Sequence, residues 1–165
     1  MLGLSLVLVA SGCGDDESGG SYDSTPAAAQ PPPAAAAEPT RPAASKPGTK
    51  LRLIDTRWGK ILAGPKSRAI YLFTREKGTK SRCYGQCAVE WPPVLTTGKP
   101  RAAKGLDAAL GTTKRTDGKS QVTYNGHPLY YWYKDPPGEV FCQAVDEFGG
   151  FWYIVDPDGE AITEP

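Results

Sequence analysis

Tyr130-Tyr131-Trp132-Tyr133-Lys134-Asp135 and, 59 residues earlier, Tyr71-Leu72-Phe73-Thr74-Arg75-Glu76 carry one pattern: a tyrosine, an aromatic two places on, and an acid three places beyond that. The register extends outward without a gap. Gly59-Lys60 falls on Gly118-Lys119, Ile70 on Leu129, and Cys83 on Cys142. In a strand, alternate side chains share a face, so Tyr71 lies beside Phe73 and Tyr130 beside Trp132. The acid then stands at the strand end, where it can accept hydrogen bonds from turn amides or from a tyrosine hydroxyl. The same residues also permit a functional reading, a carboxylate-rimmed aromatic groove that takes a ligand. Each copy has one apolar face and no partner of its own, so the two copies are expected to pack on each other.

The flanks agree with an all-β fold. Leu51–Thr56 reads as a strand. Lys60–Ala63 and Ala69–Thr74 read as a pair joined through Gly64-Pro65. Ser120–Tyr124 and Pro128–Tyr133 flank Asn125-Gly126, a strong hairpin signal because both residues tolerate positive φ. Trp152–Asp156 reads as a last strand, closed by Pro157-Asp158-Gly159 and a short return over Glu160–Thr163. Gly105–Leu110 is read as a single helical turn. The expectation is one compact antiparallel domain over residues 49–165, made of two tandem pseudo-symmetric repeats at about 51–104 and 110–163. All four tryptophans and all four phenylalanines lie in it.

At these residues the chain resembles a bacterial family, the secreted-repeat lipoproteins of unknown function named for a Y-x-[FWY]-x-x-D motif. Tyr130, Trp132 and Asp135 fit the motif fully. Tyr71, Phe73 and Glu76 fit it with glutamate in place of aspartate. The resemblance continues through Cys83-Tyr84-Gly85-Gln86-Cys87, Trp91-Pro92-Pro93, Gln121–Tyr130 and Gly149-Gly150-Phe151-Trp152, and covers nearly all of residues 51–160. It implies an envelope lipoprotein built of these repeats and no established activity. Cys142 stands outside the pattern.

The chemistry-bearing residues are few. Cys83, Cys87 and Cys142 are an odd set for an oxidising compartment. Cys83 and Cys87 can bridge across a turn, or either can bridge to Cys142 and tie the repeats together; each arrangement leaves one thiol. With His127, the one histidine, they make up a Cys₃His set, but the spacing matches no standard zinc pattern, so neither metal nor cofactor is expected. A thiol–disulfide exchange role would need a lowered thiol pKa, which Arg75, Lys77, Lys80 and Arg82 near Cys83 could supply. No serine-nucleophile elbow, zinc-protease helix or phosphate loop is present. Asp135 and Glu76 form a carboxylate pair whose separation sequence alone does not give.

The N-terminal quarter differs. Leu2–Ala10 is almost wholly apolar and far shorter than the ~20 residues of a membrane-spanning helix. It ends in Ala10-Ser11-Gly12-Cys13, which looks like a bacterial lipobox with Ala10 where leucine is usual. Residues 1–12 are therefore read as a lipoprotein signal peptide and Cys13 as the lipidated residue. Between Ser21 and Gly48, 16 of 28 residues are proline or alanine, so residues 13–48 read as a disordered tether. The formal net charge is only +1, which argues against nucleic acid as a partner. The expectation is a lipid-anchored module on the outer side of a bacterial membrane. It is expected to be non-catalytic and to bind an envelope protein or small ligand at the aromatic rim Tyr130–Tyr133. The alternative is a thiol- or metal-active accessory protein using Cys83, Cys87 and Cys142.

Overall fold

The computed structural model describes residues 46–164. The expected signal peptide, the expected lipidation site Cys13 and the expected tether up to residue 45 lie outside the described residues. The chain forms β1 (Lys50–Thr56), β2 (Gly59–Ala63), a 3₁₀ turn at Pro65–Ser67, β3 (Tyr71–Phe73), α1 (Gln86–Glu90) and β4 (Arg101–Ala102). It continues with β5 (Leu110–Lys114), β6 (Ser120–Tyr124), β7 (His127–Pro128), β8 (Val145–Glu147) and β9 (Gly150–Ile154). These make three small sheets in the orders β2-β1-β4, β3-β9-β8 and β5-β6-β7. All pairings are antiparallel except the two-residue contact of β1 with β4. The all-β expectation holds.

The Asn125-Gly126 hairpin forms as its residues dictate, with φ of 46° and 79° at the two turn positions. Elsewhere local reading and structure part. Gly105–Leu110 is not helical; Leu110 opens β5, which pairs with β6 from Leu110↔Tyr124 to Lys114↔Ser120. Thr112 and Thr113 supply the β preference there, and Gly111 had masked it. Among the described residues the one α-helical turn lies at Gln86–Glu90, where Cys87 is buried and the Trp91 amide caps the turn on the Cys87 carbonyl at 2.7 Å. The segment after β2 meets it only at Ala63↔Ala69 and through the Ile70 amide on the Leu62 carbonyl, 3.0 Å; β3 then leaves for β9.

That departure is the main feature of the fold. Each repeat's last segment completes the other repeat. Val155, from the second copy, accepts from the Leu62 amide at 2.7 Å and donates to the Ile70 carbonyl at 3.3 Å. Val94, from the first copy, accepts from the Val122 amide and donates to the Leu129 carbonyl, both at 2.8 Å. Ile70 and Leu129 are equivalent in the repeat, and their surroundings repeat too. At the centre Tyr71 and Tyr130 exchange backbone bonds, amide to carbonyl, at 2.9 and 3.0 Å.

Two cores result. Tyr71, Phe73, Tyr130, Trp91, Trp152 and the cysteines form an aromatic core; Ile70, Leu72, Leu129, Val94 and Val155 belong to an aliphatic one. The strand period of two divides β3 between them, Tyr71 and Phe73 to one and Leu72 to the other.

Candidate functional site

The two motif copies meet at the Tyr71–Tyr130 pair, and there their acids are exchanged. The Tyr71 hydroxyl donates to Asp135, and the Tyr130 hydroxyl donates to Glu76 at 2.5 Å. Each acid also receives a backbone amide from the segment just before its repeat's cysteine: Phe141 to Asp135 at 2.9 Å, Arg82 to Glu76 at 2.6 Å. All four side chains are buried. Burial, then the facing carboxylates, raises both phenols well above their ordinary pKa. Burial also raises both acids. Glu76 is pushed up to about 7, against the opposing pull of Tyr130, the Arg82 amide and the Arg115 charge. Asp135 is raised as well, opposed by Tyr71, Phe141 and Arg68.

Four rings line up across the same pseudo-twofold. Trp152 stacks on Trp91 at 4.1 Å and on Phe73 at 4.0 Å; Trp132 leans on Trp91 at 6.4 Å. Tyr71 meets Trp91 edge-on and Tyr130 meets Trp152 edge-on, both at 5.2 Å. Edge-to-face and offset contacts of this kind add to the burial of large apolar surface. Trp91 and Trp152 are 61 residues apart, not 59, so an ungapped self-comparison does not align them.

A polar chain runs from the Glu76 end. Arg115, 3 % exposed, donates to Ser81 and Gln121 at 2.7 Å and to the Cys83 carbonyl at 2.9 Å. Ser81 and the Tyr130 hydroxyl are 2.7 Å apart. Since Tyr130 donates to Glu76, Ser81 donates to Tyr130, and Arg115 donates to Ser81. Aligned donors of this sort polarise one another. Sequence reading missed Arg115 because Lys114-Arg115 at a strand end looks like ordinary surface charge.

The cysteines resolve one open choice. Cys83 and Cys87 form the disulfide, with Cα atoms 5.3 Å apart, and Cys142 is a buried free thiol. Burial, with the Glu147 and Asp135 charges, pushes its pKa up to about 12. That corrects the three-thiol reading, because two of the sulfurs are tied up with each other. Among the described residues, no group of three or more His, Cys, Asp or Glu side chains is placed to hold a metal. His127 lies on β7, half-buried.

The aromatic rim is corrected as well. Tyr130 is fully buried, and Tyr131 and Trp132 are half-buried. Beyond β7 the chain is not a strand: Tyr130 bridges to Tyr71, Tyr131 packs against the aliphatic core and Trp132 against the aromatic one. Tyr133, 47 % exposed, is what remains of the rim; the exposed Phe141 and Val89 were not anticipated.

Among the described residues no helix is long and apolar enough to cross a membrane. A family model described as a secreted repeat of unknown function matches the chain twice, over residues 52–95 and 111–156. No curated protein and no solved structure matches it. The two matched segments, over half of the chain, are the two copies whose tyrosines and acids cross. The chain thus belongs to the secreted-repeat family of unknown function and carries the repeat in duplicate.

Proposed function

We propose that this chain is a lipid-anchored, extracytoplasmic interaction module, held through Cys13 and contacting its partner at the corner around Tyr133. The observation that carries this reading is how the side chains are used. The motif tyrosines and acids are spent on one another inside the fold. The large apolar groups left outside include Tyr133, Val89 at 62 % and Phe141 at 64 % exposure. Tyr133 and Val89 belong to one corner, since the Tyr133 amide donates to the Glu90 carbonyl at 3.0 Å. Lys134 lies over the Tyr133 ring at 4.9 Å. Tyrosine is enriched in protein interfaces and among the residues that carry their binding energy.

Two measurements test the two parts. Growth with an alkyne fatty acid should label the wild-type chain, while Cys13→Ser should be unlabelled and released from the membrane fraction. A photo-crosslinking residue at position 133 should give a discrete adduct in cells, and the same residue at the exposed position 119 should not. Labelling that survives Cys13→Ser sinks the anchor. Equal background from positions 133 and 119 sinks the contact surface.

A further inference from the structure

The two ends of the crossed motif are not chemically equal, and the difference points to a ligand. At the Asp135 end both carboxylate oxygens are used, Oδ2 by the Tyr71 hydroxyl and Oδ1 by the Phe141 amide. At the Glu76 end the longer side chain serves both partners with one oxygen. Oε1 accepts from Tyr130 at 2.5 Å and from the Arg82 amide at 2.6 Å. Oε2 is left buried without a partner in a residue only 3 % exposed. The one other buried side-chain atom without a partner among the described residues is His127 Nδ1.

Both residues line one cleft of about 400 Å³, whose walls include Leu72 and Ala161 and whose other charged groups are Glu160 and Lys77. Glu160 is held in place by the Asn125 side-chain amide at 2.6 Å. Lys77 is exposed. With Glu76 ionised, the carboxylates outnumber the ammonium two to one. An unsatisfied carboxylate oxygen in such a place is costly unless something completes it.

The equivalent wall of the other copy is built of different groups. By the 59-residue register, Arg68 stands where His127 stands and Tyr131 where Leu72 stands. The Arg68 guanidinium lies 4.3 Å above the Tyr131 ring and donates to the Trp132 carbonyl at 2.9 Å, and its charge acts on Asp135. Arg68 thus puts a charge near Asp135, as Arg115 and Arg82 do near Glu76, but it does so from the wall formed with Tyr131. The Glu76 end has an imidazole and a leucine in those places.

We propose that this cleft binds a small organic cation: a guanidinium or primary ammonium on a short apolar chain. Its N–H groups bond Glu76 Oε2 and His127 Nδ1, the imidazole proton being on Nε2, and its chain lies on Leu72 and Ala161. The inference does not depend on the lipid anchor or on the Tyr133 corner.

The test is an NMR titration of the full, disulfide-bonded chain with agmatine, and with pentylurea as an uncharged counterpart. Agmatine should give saturable shifts at the amides of Lys77, Gly78 and Ala161 and at the His127 ring; pentylurea should give none. Glu76→Asp restores the acid of the other copy, so both oxygens should be consumed and agmatine affinity should fall about tenfold or more. His127→Arg places a guanidinium where Arg68 stands in the other copy and should block agmatine with the spectrum still dispersed. No saturable shift with agmatine overturns the proposal. So does equal binding of pentylurea, or full affinity in both folded variants.

Discussion

The hydroxyl of Tyr71 is bonded to Asp135, the acid of the other motif copy, and not to Glu76, the acid of its own. Tyr130 and Glu76 complete the exchange. The motif is thus a clasp between repeats. Replacing either tyrosine by phenylalanine leaves a buried carboxylate short of its donor. Tyr71→Phe and Tyr130→Phe should each cost about 1–3 kcal/mol. Urea unfolding followed by tryptophan fluorescence measures this; a loss under a few tenths of a kcal/mol in both would show that the clasp carries no stability.

The exchange of Val94 and Val155 between hairpins makes each repeat incomplete alone. A fragment ending at residue 104 and another starting at 105 should each be unfolded in isolation, with collapsed amide dispersion. Mixed in equal amounts they should recover the dispersed spectrum of the whole. A folded single fragment would mean that the repeat closes on itself.

Cys83 and Cys87 enclose a short loop, so Cys87→Ser should cost about 2 kcal/mol in the chain-entropy account. Cys142 should behave differently. It is buried and its thiol is raised to about 12, so it should resist alkylation at pH 8 in the native chain and react at once in denaturant. Mass spectrometry after brief iodoacetamide treatment counts the adducts, and a rapidly labelled native Cys142 contradicts its burial.

Glu76 sets a pH dependence. Its ordinary value is 4.5 and its folded value is about 7, raised by burial. Between those values the folded chain holds a proton that the unfolded chain releases, so stability falls as pH rises through the window. Asp135 is raised too and acts in the same direction. Midpoints of urea unfolding at pH 5 and pH 7.5 should therefore differ in favour of pH 5. Glu76→Gln should flatten much of that difference, and an unchanged slope in the variant would assign it elsewhere.

Much of this arrangement was legible before any coordinates. The 59-residue repeat, the shared face of Tyr71 with Phe73, and the Asn125-Gly126 turn follow from strand period and turn chemistry, which act within a few residues. That the acids accept from a tyrosine hydroxyl and turn amides followed from side-chain chemistry. Which tyrosine each acid meets did not, because each copy presents a tyrosine and a carboxylate and only the tertiary packing of the copies selects the partner. The Cys83–Cys87 pairing was one of several open choices until α1 brought the two together. The unused oxygen of Glu76 is a matter of one methylene. The sequence shows glutamate in place of aspartate, and only the packed structure shows that the extra reach lets one oxygen serve two donors and leaves the other buried without a partner.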